Sequence, residues 1–147
     1  GITGAARGGG WMSTETDGGH ERGKARMAEV YAWKSVPEVP GDFFAVTVDH
    51  LFGEIWSRDG LTLRDRRMLL MGVIAALGEW SVLPIQLDAI LANSELSAEQ
   101  LREIVIFLTH YVGWPRGSTF NRVVEERVAA HRGAGAKSDF PGPGGEK

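Results

Sequence analysis

The sequence predicts an all-α protein, on three observations. Apolar residues recur at three-four spacing from about residue 21 to 131 and nowhere sustain the period-two alternation of a strand. Two capping boxes, Thr62-Leu63-Arg64-Asp65 and Ser97-Ala98-Glu99-Gln100, mark helix starts. Glycine, which weakens helix interiors, is concentrated at the ends: eight of 20 lie in residues 1–23, five in 133–147 and seven in between.

Glu21 to Trp33 reads as a polar first helix, with Met27, Val30 and Tyr31 on one side, ended by the stretch from Pro37 to Gly41. A second helix is expected from Phe43 to Trp56, where Phe44, Val48, Leu51, Phe52 and Ile55 form an apolar stripe and Asp49 and Glu54 the polar face. Thr62 opens a third, whose stretch Met68 to Leu77 is apolar all round and so suits a bundle centre or a subunit interface. Ser81 to Ala92 forms a fourth, with Pro84 tolerated in its first turn. Ser97 starts a fifth that Gly113 stops, and Pro115 or Arg116 starts a sixth, with Phe120, Val123, Val124 and Val128 as its buried stripe. Residues 1–20 and the Gly/Pro-rich tail 132–147 are expected to be disordered, leaving one helical domain over 21–131. Gly1 to Trp11 is either a cloning remnant ahead of a start at Met12 or native chain.

A chain of 147 residues with 43% hydrophobic residues is long enough for one core and short for two. Its net charge of -3 lacks the basic footprint of a nucleic-acid binder. Uncharged runs such as Met68 to Gly78 fall short of the roughly 18 to 20 residues that cross a bilayer. With no hydrophobic leader segment visible, a cytoplasmic location is expected. Cysteine is absent, which removes disulfides, thiolate metal sites and thiol redox chemistry.

Gly53-Glu54-Ile55-Trp56-Ser57-Arg58-Asp59-Gly60-Leu61, then Ala76-Leu77-Gly78, Asn93 and Tyr111-Val112-Gly113-Trp114-Pro115 occur in an order and spacing that resembles the carboxymuconolactone decarboxylase family, over about Glu21 to Val128. The resemblance implies an alkylhydroperoxidase D-like helical bundle, assembled as homotrimers or hexamers. It also implies a cofactor-free, metal-free lyase that removes carbon dioxide from a small carboxylated lactone in aromatic-acid breakdown. The related redox branch depends on a Cys-x-x-Cys pair and is excluded here. Members usually carry a histidine where this chain has Gln86, and often another where it has Phe107. A non-catalytic or small-molecule-binding oligomer of the same fold is therefore the alternative.

Decarboxylation of such a lactone needs an acid for a ring carbon, a stabiliser for the developing oxyanion and a cation for the retained carboxylate. His110 is the candidate acid, since histidine titrates near neutral pH, with Glu103 seven residues earlier on the same helical face and Trp114 beyond it. That face suits either a pocket wall or a subunit contact. Gln86 keeps hydrogen-bonding capacity and would orient an oxygen. Arg58 suits a planar carboxylate or, equally, the free carbonyls of a helix end. Trp56, Trp114 and His50 are candidate substrate contacts, with packing the competing role for the tryptophans and a solvent-exposed position that for His50. Glu79, at the unfavourable end of a helix dipole, is expected to be exposed or paired.

Overall fold

The computed structural model describes residues 14–133 and 137–142. Its elements are α1 (Thr14–Tyr31), α2 (Asp42–Val46), a π-helix (Thr47–Ile55), α3 (Leu63–Leu77), α4 (Leu83–Ala92), α5 (Ala98–Val112) and α6 (Trp114–His131), with no strand among the described residues. Helix α1 starts seven residues ahead of Glu21, within the segment expected to be disordered. The disorder expected for residues 1–13, 134–136 and 143–147 falls outside the described residues. By contact the described residues divide into two compact units, one from residues 14–29, 33–59 and 139–142, the other from residues 30–32, 60–133 and 137–138.

In the first unit the expected second helix is five residues of α-helix followed by nine of π-helix. The π-helix bonds residue i to i−5, as in the Trp56 amide to the Leu51 carbonyl at 2.8 Å. A wider turn regroups the faces. Val48, Phe52 and Trp56, four residues apart, are buried, whereas Leu51 and Ile55, expected on the same stripe, are exposed. Asp49, expected on the outer face, is turned inward with 7% of its surface exposed.

Helix α1 meets this π-helix backbone to backbone. A Cβ on Gly23 would lie 2.1 Å from the Val48 carbonyl oxygen, so position 23 admits glycine alone. Arg26 donates from Nε and Nη2 to the Trp56 carbonyl at 2.9 and 2.8 Å, satisfying an acceptor that the end of the π-helix leaves open. Lys34 pairs with Asp139 at 3.3 Å and Trp33 meets Phe140 edge to face at 4.9 Å.

The second unit follows the sequence expectations closely. Both capping boxes form, with Thr62 and Asp65 exchanging bonds of 3.1 and 3.2 Å, and Ser97 and Gln100 bonds of 3.1 and 2.9 Å. Gly78 ends α3 in the left-handed region at φ 69, the conformation that glycine adopts without penalty. Pro84 sits in the first turn of α4. Phe120, Val123, Val124 and Val128 of α6 pack into one core with Met71 and Ile74 of α3, Leu83, Leu87 and Ile90 of α4 and Leu101 and Val105 of α5. Arg102 forks onto Glu125 at 2.7 and 3.0 Å and Arg127 onto Asp88 at 2.7 and 3.0 Å, bracing α5 and α4 against α6. Helix α3 is not covered all round: Leu69, Val73 and Leu77 form an exposed apolar stripe at four-residue spacing.

Candidate functional site

Gln86 lies at the centre of a buried polar cluster that the sequence did not announce. Arg67, on α3, is 0% exposed. Its Nε and Nη2 donate to the two Glu95 carboxylate oxygens at 2.9 and 3.0 Å, while Nη1 donates to Gln86 Oε1 and Nη2 also to the Val30 carbonyl. Asn93 adds a bond to Glu95 at 3.1 Å. Gln86 is hydrogen-bonded to Tyr31 as well. Burial pushes the Tyr31 phenol up, against the opposing pull of the Arg67 charge and the Gln86 bond, so it stays neutral well into alkaline pH.

The cluster explains the residue at position 86. A guanidinium in a dry site needs acceptors that never turn positive, and the glutamine oxygen meets that need at every pH. Histidine there would lose its acceptor on protonation and face Arg67 as a second cation. Gln86 thus serves Arg67 and Tyr31, and it does not border the cavity that holds His110. One unused sequence signal could have marked Arg67: it stands at i relative to core residues Met71 and Ile74 at i+4 and i+7.

His110, on the last turn of α5, borders an open cavity of about 260 Å³ between α5 and α6, with Thr109, Trp114, Ser118 and Asn121. Local packing builds its floor. A Cβ on Gly117 would lie 2.2 Å from Thr109 Oγ1, so glycine lets the two helices close there, and the Thr109 hydroxyl is taken by the Val105 carbonyl at 2.6 Å. The His110 Nδ1–H donates to the Ile106 carbonyl at 2.7 Å, which leaves Nε2 as the nitrogen available to a ligand. Trp114 meets the imidazole edge to face at 5.2 Å.

The other expected site residues are placed elsewhere. Glu103 is exposed and does not border the His110 cavity, so the expected acid–base pair is not formed. Phe107 is exposed and tilts against Tyr111 at 5.1 Å. Glu79 is exposed. In the first unit, Arg58 is exposed in the turn after the π-helix, His50 is exposed and bonded to Glu54 at 3.1 Å, and Trp56 is buried against Phe52 at 6.2 Å, which leaves it a packing residue. Among the described residues, no group of three His, Asp or Glu side chains is arranged to hold a metal ion, and no helix is long and apolar enough to cross a membrane.

Comparison with known proteins gives two matches. The model of the carboxymuconolactone decarboxylase family matches residues 41–126, more than half of the chain. The 4-carboxymuconolactone decarboxylase of Acinetobacter baylyi is 31% identical over 75 residues, which are 51% of this chain and 55% of that protein. The chain therefore spans about half the length of this relative. No solved structure matches at comparable significance.

Proposed function

The chain belongs to the carboxymuconolactone decarboxylase family, and on that premise we propose that it is a cofactor-free lyase acting on a small carboxylated lactone or a related enolisable acid. The observation that carries this reading is His110, whose Nδ1 is committed to the Ile106 carbonyl and whose Nε2 is left to a cavity with an aromatic wall and two polar side chains.

In the reaction, the bond to the departing carboxylate breaks, carbon dioxide leaves and the electron pair passes through the ring double bond onto the lactone carbonyl. The hydroxyl of Ser118 and the amide of Asn121 supply donors for that oxygen, and Trp114 covers the planar ring. Protonated His110 gives its Nε2 proton to the distal ring carbon and recovers one from solvent. By resemblance the substrate is 4-carboxymuconolactone and the product an enol-lactone. We propose in addition a homotrimer or hexamer, because the stripe Leu69, Val73 and Leu77 and the surface of Phe107, Tyr111 and Trp114 are large apolar areas for a monomer to leave in water.

The second reading, a non-catalytic binding protein, is favoured by Gln86, which occupies the family's usual histidine position and is committed to Arg67 and Tyr31. Incubation with 4-carboxymuconolactone separates the two. Carbon dioxide release that falls by about 2 to 4 orders of magnitude in His110→Gln supports the lyase reading. Turnover unchanged in that variant removes His110 from the chemistry, and no turnover at all favours the binding protein. Light scattering that returns a 16.0 kDa species overturns the oligomer.

A further inference from the structure

The first unit holds a cluster of ionisable groups that the proposed reaction does not use. His20, on α1, is placed between two carboxylates from two other segments. Its Nδ1 meets Asp49 of the π-helix at 2.5 Å, and its Nε2 meets both oxygens of Glu38, in the connection after α1, at 2.9 and 3.0 Å. Lys24, one turn along α1, bonds Glu38 at 2.6 Å and Glu21 at 3.1 Å. Asp49 has 6% of its side chain exposed, Glu38 64%.

A neutral imidazole has one N–H and one lone pair, so it can donate to only one of these carboxylates and must turn a lone pair toward the other. Both bonds exist together only when the ring is charged. Around it stand Glu21 and Lys24 on its own helix, Glu38 in the connection and Asp49 on the π-helix. The Asp49 and Glu38 carboxylates favour the charge and the Lys24 ammonium, itself neutralised by Glu21 and Glu38, opposes it, while His50 and Glu54 pair with each other. We propose that His20 is a proton-operated latch, which when charged fastens α1, the connection carrying Glu38 and the π-helix to one another, and when neutral keeps only one of its two carboxylates.

Burial of the ring opposes its charge, but the bonds to Asp49 and Glu38 and their charges outweigh it and raise the pKa above 6.5. A group whose pKa is raised by folding stabilises fully below its unfolded value and ceases to do so as pH rises through the folded value. The latch therefore holds at and below about pH 6.5 and loosens on the alkaline side. The Lys24 bond, then the His20 bond, hold Glu38 below its ordinary 4.5, so its contribution is lost only as pH falls through the acid range. Asp49, the more deeply buried of the two, keeps the remaining N–H, and Glu38 is left with Lys24.

Hydrogen exchange on the full chain, corrected for the intrinsic pH dependence of exchange, tests this at residues 20–28 and 47–55. Protection there is expected to fall by up to about tenfold per pH unit across the interval between 6.5 and the raised value, with the second-unit core unaffected. His20→Gln should flatten that response, and Lys24→Met, which leaves Glu38 dependent on His20, should steepen it. Imidazole chemical shifts of the wild-type chain give a reading that needs no variant. A flat exchange profile, a slope that survives His20→Gln, or a His20 ring that is neutral at pH 6 each overturns the latch.

Discussion

Each unit of the molecule buries a carboxylate and supplies it with a cation, and the two choose different cations. Glu95 in the second unit and Asp49 in the first are equally withdrawn from water, with 6% of each side chain exposed. Glu95 is met by an arginine, Arg67, and a guanidinium is a permanent cation in proteins. Asp49 is met by His20, whose imidazolium can lose its proton. At equal depth, then, the response to pH is set by the chemistry of the cation. It is also set by geometry, because Arg67 spreads its donors over Glu95, Gln86 and the Val30 carbonyl, whereas His20 has two nitrogens and a carboxylate on each.

The hardest test of this contrast is Arg67→Met, which strands Glu95 in a dry site. The expected loss is about 3 to 5 kcal/mol of unfolding free energy, read from denaturant titration, and nearly the same at pH 6 and pH 9. A loss that changed strongly between those pH values would remove the distinction between the clusters. Asp49→Asn should cost less, about 1 to 3 kcal/mol at pH 6, because His20 retains Glu38 and partial access to water. The same variant should narrow the difference in stability between pH 6 and pH 9, since one of the two charges that hold the proton on His20 is gone. The smallest effect concerns the turn that presents Glu95. Ser94 occupies the left-handed region at φ 53 and is exposed, so Ser94→Gly should raise the thermal midpoint by an amount equivalent to about 0.5 to 1 kcal/mol. A decrease instead would mean that a rigid Ser94 is needed to seat Glu95 on Arg67.

The sequence disclosed what is written in neighbouring residues. Thr62 with Asp65, Ser97 with Gln100, Pro84, Gly78 and Gly113 each act within a few positions: α3 and α5 begin and end where they indicate, and α4 and α6 start within two residues of the expected positions, at Leu83 rather than Ser81 and at Trp114 rather than Pro115 or Arg116. The stripe of α6 was legible for the same reason. Arg67 was not, because its partners lie 19 to 37 residues away and a charged residue directly after Arg64, Asp65 and Arg66 reads as solvated. His20 and Asp49 are 29 residues apart and neither has a local partner that suggests the other. The α-period assigned Asp49 to the wrong face, since nine residues of π-helix follow a longer turn. At the candidate site, His110 and Trp114 share a cavity as their spacing suggested, while Glu103 and Gln86 do not join them.

The π-helix also constrains how the gene can change in length. Val48 must present its carbonyl to Gly23, Asp49 must reach His20, and Trp56 must offer its carbonyl to Arg26. Loss of one residue between Thr47 and Ile55, with return to the tighter α-turn, would change the angle and the rise between Val48 and Asp49 at the start and Trp56 at the end, so the three could not all keep their partners. Homologous chains that keep glycine at the position of Gly23 should therefore show neither insertions nor deletions in that nine-residue window, whereas those with a bulkier residue there are free of the restriction.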